Sequence, residues 1–115
     1  MKIQNPVIDK YGNKRWKNEN GELHRLDGPA KEFHNGSKLW YQNGELHREN
    51  GPAVEWTDGT KFWYQNGKLH RLDGPAIEYS NGTKEWYVFY KKYTEEEFNN
   101  IELINRNVYL LLGNI

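Results

Sequence analysis

The sequence predicts a mainly β protein: a single-layer antiparallel sheet of β-hairpin repeats, ended by a C-terminal capping α-helix. Three observations predict it. The string N-G-x-L-H-R-x-x-G-P-A-x-E-x-x-x-G-x-K-x-W-Y occurs three times at a period of 23 residues without insertion, over 20–42, 43–65 and 66–88. Inside each copy, Asn-Gly or Asp-Gly separates two short runs of β-type residues, a strong local hairpin signal. Beyond residue 93, Thr94-Glu95-Glu96-Glu97 opens a stretch whose apolar residues recur at helical spacing. Self-similarity at a fixed period marks an array whose units pack on their neighbours.

The elements follow in order. At residues 1–19, Pro6 disfavours a helix, so an extended edge piece is expected. Y-G-N-K-R-W at 11–16 then repeats the end of a unit, with Trp16 one residue out of phase and the slack at 17–19. It reads as a half-repeat that caps the array. In the full units, residues 30–33, 53–56 and 76–79 form first strands, and 38–41, 61–64 and 84–87 second strands. A three-residue loop with Gly36 in the left-handed region sets Glu32 opposite Lys38, Glu55 opposite Lys61 and Glu78 opposite Lys84. Ion pairs between them are expected. Alternation puts Val54, Ile77, Leu39, Phe62, Phe33, Trp56, Tyr79 and Tyr41/Tyr64/Tyr87 on the core face. The three Ala-Trp pairs of positions, Ala30 with Trp40, Ala53 with Trp63 and Ala76 with Trp86, fall on the other. Identical units related by translation need an even number of strands. Leu-His-Arg is therefore read as a bent continuation of the second strand, with a bulge at Asn43-Gly44. The helix is expected from 95 to 112 behind a Thr94 N-cap, carrying Phe98, Ile101, Ile104, Val108 and Leu111 on one face. It would cover the last strand edge. Residues 1–115 then make one repeat domain.

Composition narrows the function. The chain has 16 basic and 16 acidic residues, so its formal net charge is zero and long nucleic acid is not the expected partner. It lacks cysteine, which excludes disulfides and thiolate metal sites. The N-terminus has no apolar run of signal-peptide length and no stretch suits a membrane span, so a cytoplasmic protein without a membrane partner is expected. No nucleophile elbow, phosphate loop or dinucleotide fingerprint is present. Neither enzymatic activity nor a cofactor is expected.

The repeated polar residues supply the candidate sites. His24, His47 and His70 recur one unit apart, about 9–10 Å at two strand spacings. Zinc needs its donors about 2 Å from the ion, so they do not form a metal site. Each suits a hydrogen bond to turn backbone, or a ligand contact. Glu32, Glu55 and Glu78 sit in identical environments, whereas an acid–base pair needs two different ones. Arg25, Arg48 and Arg71 each precede an acid- or Asn-containing turn, which they could satisfy. The alternative is a row of guanidiniums beside Trp40, Trp63 and Trp86, able to hold carboxylate or phosphate while a ring stacks.

The skeleton resembles the MORN repeat and its bacterial and viral variants. Trp63-Tyr64-Gln65-Asn66-Gly67 and Trp56-Thr57-Asp58-Gly59 stand at that family's two turns, although Arg25, Arg48 and Arg71 replace its second glycine. The wording L-H-R-x-D-G-P-A-x-E-Y, with T-E-E-E-F after the array, is similar to small phage and giant-virus repeat proteins. The resemblance covers residues 11–98. It implies a single-layer sheet and a noncatalytic binding role, without naming a ligand. Two functions stay open. One is a protein-interaction module for a host or viral partner, with a homo-oligomer through the sheet edge also possible. The other is a sponge that sequesters a phosphate-bearing nucleotide signal of host defence.

Overall fold

The structure, a computed structural model, describes residues 4–101. Its elements are β1 (Val7–Ile8), β2 (Lys14–Arg15), β3 (Lys31–Glu32), β4 (Lys38–Leu39), β5 (Tyr41–Gln42), β6 (Glu45–Leu46), β7 (Val54–Glu55), β8 (Lys61–Phe62), β9 (Tyr64–Gln65), β10 (Lys68–Leu69), β11 (Ile77–Glu78), β12 (Lys84–Val88), β13 (Lys91–Tyr93) and α1 (Glu95–Asn100). Nine of the strands form one antiparallel sheet in the order β1-β2-β3-β4-β7-β8-β11-β12-β13. This is the hairpin-repeat sheet with a C-terminal helix that the sequence predicts.

Register follows loop chemistry. Gly36, Gly59 and Gly82 have φ of 96°, 96° and 89°, and Glu32, Glu55 and Glu78 face Lys38, Lys61 and Lys84. The expected three-residue loops are therefore present. In each, Asn35, Asp58 or Asn81 accepts the backbone N–H two residues on, at 2.9, 2.8 and 2.9 Å. These bonds tighten the turn.

The Asn-Gly step differs from expectation. Asn43 and Gly44 have φ of 49° and 82°, which makes a two-residue hairpin turn and not a bulge. It joins β5 to β6, with Tyr41 opposite Leu46, and β9–β10 repeats the arrangement with Tyr64 opposite Leu69. Each complete unit thus carries two short hairpins, so the strand number stays even, as translation requires. Trp40 stands at the corner between them. Its N–H donates to Ala53 O at 2.7 Å in the main sheet, and its carbonyl accepts from His47 N at 3.0 Å in the second hairpin. Trp63 repeats both bonds with Ala76 and His70.

The N-terminal segment follows the same plan. β1 pairs with β2, and Lys17 bridges to Leu23 across a loop closed by Asn18 and Glu22. That loop has one residue more than Asn43-Gly44, which accounts for the out-of-phase Trp16. At the other end, α1 has its capping box: Glu97 N donates to Thr94 Oγ1 at 3.0 Å and Thr94 N to Glu97 Oε1 at 2.8 Å. Phe98 is its buried residue. Within the described residues α1 ends at Asn100, with Ile101 extended at ψ 117°. The expected continuation through Ile104, Val108 and Leu111 lies outside the described residues.

Burial corrects the two-face assignment. Ala30, Ala53 and Ala76, placed opposite the core face, are fully buried, and Val54 and Ile77 from the core face itself are buried as well. Trp56 and Tyr79, expected inside, are 39% and 37% exposed. Folding the R-x-x-G-P segment back against the strands covers the alanine side, so apolar burial does not follow strand alternation alone. Fully burying Val54 or Ile77 contributes about 1.5–3 kcal/mol each. Rings add to the ladder: Phe33 meets Trp56 at 5.9 Å and Phe62 meets Tyr79 at 6.3 Å, edge-on.

Candidate functional site

The Arg of each unit is built into its own loop. The Arg25, Arg48 and Arg71 guanidiniums lie over the Trp16, Trp40 and Trp63 rings at 3.9, 3.8 and 3.9 Å. Each Nη1 donates to the carbonyl of the following Pro: Pro29 at 3.2 Å, Pro52 at 3.0 Å and Pro75 at 3.0 Å. The same nitrogen donates to Glu32, Glu55 and Glu78 at 3.2, 3.0 and 3.0 Å. In the first and third units Nε also reaches Asp27 and Asp73, at 3.1 and 2.9 Å. The middle unit has Glu49-Asn50 in that loop, and there Glu49 binds His47 Nε2 at 2.7 Å.

These bonds redirect an expectation. The Glu–Lys register is present, yet the carboxylates form their ion pairs with Arg. A planar donor fork lying beside the strand satisfies carboxylate and carbonyl together, which a flexible ammonium across the ladder does not.

Glycine completes the arrangement. A Cβ on Gly28, Gly51 or Gly74 would stand 2.9, 3.0 or 2.9 Å from the Arg Cζ. The guanidinium is therefore held between an indole and a bare backbone. Gly in G-P-A serves close approach here, a requirement that sequence reading placed only in the turn. The recurring x-x-G after each Arg was the available signal.

The histidines join successive units. His24, His47 and His70 accept the backbone N–H of Asn43, Asn66 and Phe89 at Nδ1, at 2.9, 3.0 and 2.9 Å. The turn each one serves belongs to the next unit, 19 residues on. Accepting at Nδ1 leaves the proton on Nε2, where His47 meets Glu49. Burial holds the His70 imidazole below its ordinary pKa, in keeping with this neutral acceptor role. At the opposite end of the units, Asn13, Ser37 and Thr60 side chains accept the N–H of His34, Thr57 and Ser80 at 2.8, 3.1 and 3.2 Å. Both ends of the two junctions between full units are thus tied. Sequence reading missed the second set, whose signal was a hydroxyl or amide always following the loop Gly.

Trp40, Trp63 and Trp86 are half-buried, as are Tyr41, Tyr64 and Tyr87. Burial pushes the Tyr41 and Tyr64 phenols up, and for Tyr64 the Tyr90, Tyr41 and Tyr87 phenols add to it.

Between consecutive R-x-x-G loops the surface opens into clefts. One, of about 520 Å³, runs from the Arg48–Gly51 loop to Trp63, Gln65 and Arg71. Another, of about 500 Å³, has the equivalent lining one unit earlier, from Arg25 and Gly28 to Trp40, Gln42 and Arg48. Arg25, Trp40, His47 and Arg48 therefore come together in one cleft and Arg48, Trp63, His70 and Arg71 in the other, with Gln42 and Gln65 added by the structure, whereas His24 and Trp86 line neither. Leu26, at one loop tip, is 75% exposed. Every guanidinium in the row already faces a carboxylate, so the clefts offer mixed charge to a ligand. Among the described residues no group of His, Asp and Glu is arranged to hold a metal ion, and no helix is long and apolar enough to cross a membrane. No family model, curated protein or solved structure matches this chain.

Proposed function

We propose that the protein is a noncatalytic binding module whose row of equivalent clefts docks an extended segment of a protein partner. The observation that carries this reading is the repetition of one cleft, at about 520 and 500 Å³, with the same positions lining it in consecutive units. A partner with side chains at matching intervals gains several modest contacts on a scaffold that needs little reordering, and a rigid scaffold lowers the entropic cost of binding. The rim mixes Arg, Asp, Glu and Gln with an exposed Leu26, a composition that fits a polar peptide with occasional apolar anchors. The finer identity, a MORN-like phage or virus protein acting on a host or viral protein, rests on the wording of the repeat.

The nucleotide-sponge alternative calls for guanidinium donors aimed at phosphate. Here Nη1 of each Arg is engaged by carbonyl and carboxylate, and the carboxylate opposes an anion. The protein-partner reading is therefore favoured. A displayed peptide library selected on the intact protein tests it, with Leu26→Asp/Leu72→Asp as the counter-target and a calorimetric titration of nucleotides alongside. Enriched peptides that lose at least tenfold in affinity on the double variant support the reading. Peptides that bind both proteins equally, or saturable nucleotide binding in place of peptides, overturn it.

A further inference from the structure

We propose that the cleft over Trp86 is a docking site for an arginine side chain of a partner protein. It lies at the end of the array and does not depend on the clefts between loops. The chain itself shows three times what its corner indole accepts: Trp16, Trp40 and Trp63 each carry a guanidinium within 3.9 Å. Trp86 holds the same corner. It faces Tyr93 in register, as Trp63 faces His70, and joins the hairpin of Lys84 to that of Lys91.

What is missing is the cation. One period after Arg71 the sequence has Thr94, whose hydroxyl is occupied as the N-cap of α1. Among the described residues no following strand lies against Lys84 and Glu85, which pair there with β11 alone. In the place that the next Arg and its strand would fill there is a cleft of about 430 Å³, lined by Trp86, Tyr93, Thr94, Glu95 and Glu97 and edged by Lys84 and Lys92, the latter held by Glu85 at 2.9 Å, so that three carboxylates face two ammonium groups. Among the described residues no cation lies over Trp86, and Glu95 has no ion pair. The lining therefore provides the two components that hold each internal guanidinium, an indole face and a carboxylate.

Shape and charge choose arginine over lysine. The internal templates are planar stacks, and guanidinium sheds water and lies flat on an indole more readily than an ammonium does. Among the described residues no strand covers the outer edge of Lys84 and Glu85, and an unpaired edge accepts a further strand, by which an extended peptide carries the residue in.

The test is a titration of the intact, 15N-labelled protein with N-acetyl-arginine amide, followed at the tryptophan indole N–H signals, with N-acetyl-lysine amide in parallel. Trp86→Phe assigns the signal. The expected result is a saturable shift of the Trp86 resonance alone, with lysine much weaker. Thr94→Arg, which places the missing guanidinium in the chain, should abolish the response. Glu95→Lys keeps the N-cap and should weaken binding by about fivefold, the scale of one exposed ion pair. Arg106 belongs to the sequence beyond the described residues, and Arg106→Ala should leave the titration unchanged. A Trp86 signal that ignores arginine, responds equally to lysine, persists unchanged in both Thr94→Arg and Glu95→Lys, or responds only in Arg106→Ala overturns the proposal.

Discussion

Trp63 and Trp86 occupy the same corner one period apart, and the chain treats them differently. Trp63 lies under Arg71, which Gly74 backs and which Pro75 and Glu78 of the following hairpin hold. Trp86 has Thr94 and a short helix where that sandwich would be. The turn beside it changes as well. Asn66-Gly67 becomes Phe89-Tyr90, yet the backbone keeps its left-handed form, with φ of 47° and 71°. The difference teaches that the array's geometry is imposed by neighbours. His70 holds the Phe89 N–H at 2.9 Å and stacks on its ring at 4.0 Å, and Tyr90 N donates to Leu69 O at 2.8 Å. Contacts from the preceding unit keep a turn that its own residues disfavour.

The comparison can be broken most severely at the indoles. Trp63→Ala removes the platform under Arg71 and is expected to cost about 3–4 kcal/mol in chemical denaturation. Trp86→Ala, at a corner where no described cation stacks, should cost roughly half as much. Equal losses would mean that the Arg sandwich adds nothing to the internal corner.

The next largest effect isolates that sandwich. Arg71→Ala leaves Glu78 and the Pro75 carbonyl without their shared donor and should destabilise by about 2–3 kcal/mol. Arg71→Lys should recover little, because an ammonium lacks the planar fork. Gly74→Ala should cost about 1–2 kcal/mol in the parent, where its Cβ meets the guanidinium. In the Arg71→Ala background that cost should largely vanish. A double-mutant cycle measures the coupling, and additive losses would remove Gly74 from the sandwich.

A smaller effect of opposite sign is expected at the terminal turn. Tyr90 is 67% exposed with φ of 71°, so Tyr90→Gly relieves strain at little cost in packing. A gain of about 1 kcal/mol in denaturation is expected. Asn66→Ala, in the internal turn, should instead lose stability.

The smallest effect is a pH dependence. Burial depresses the folded-state pKa of His70, so the unfolded chain takes up a proton there before the folded one does. Its stabilising contribution is complete above the ordinary imidazole pKa and is lost as pH falls through the depressed one. Protonation at Nδ1 would also abolish the acceptor for Phe89 N. Denaturation at a series of pH values from neutral to acid should show stability falling, and His70→Asn should flatten the slope. An unchanged slope would assign the acid sensitivity to other groups.

Much of this architecture is legible in the sequence because it is local. The 23-residue period, the loops at Gly36, Gly59 and Gly82, the Glu–Lys register and the Thr94 capping box each depend on residues a few positions apart. Backbone sterics and short hydrogen bonds specify such features without the rest of the fold. The candidate His, Arg and Trp columns were legible as columns for the same reason. Their partners were not. Whether Glu55 meets Lys61 or Arg48 depends on the corner at Trp40 and on the R-x-x-G-P loop returning beside the strand. Reading Asn43-Gly44 as a bulge left that return out. Likewise His47 serves a turn 19 residues on, and the buried alanines are covered by a segment that alternation cannot place. The sequence alone determined the repeating unit, its three-residue loops and the capped start of its helix, since those follow from short-range conformational preference. Only the tertiary structure decided which guanidinium lies on which indole, which strand face is buried and which corner stays open, since those depend on how one unit lies against the next.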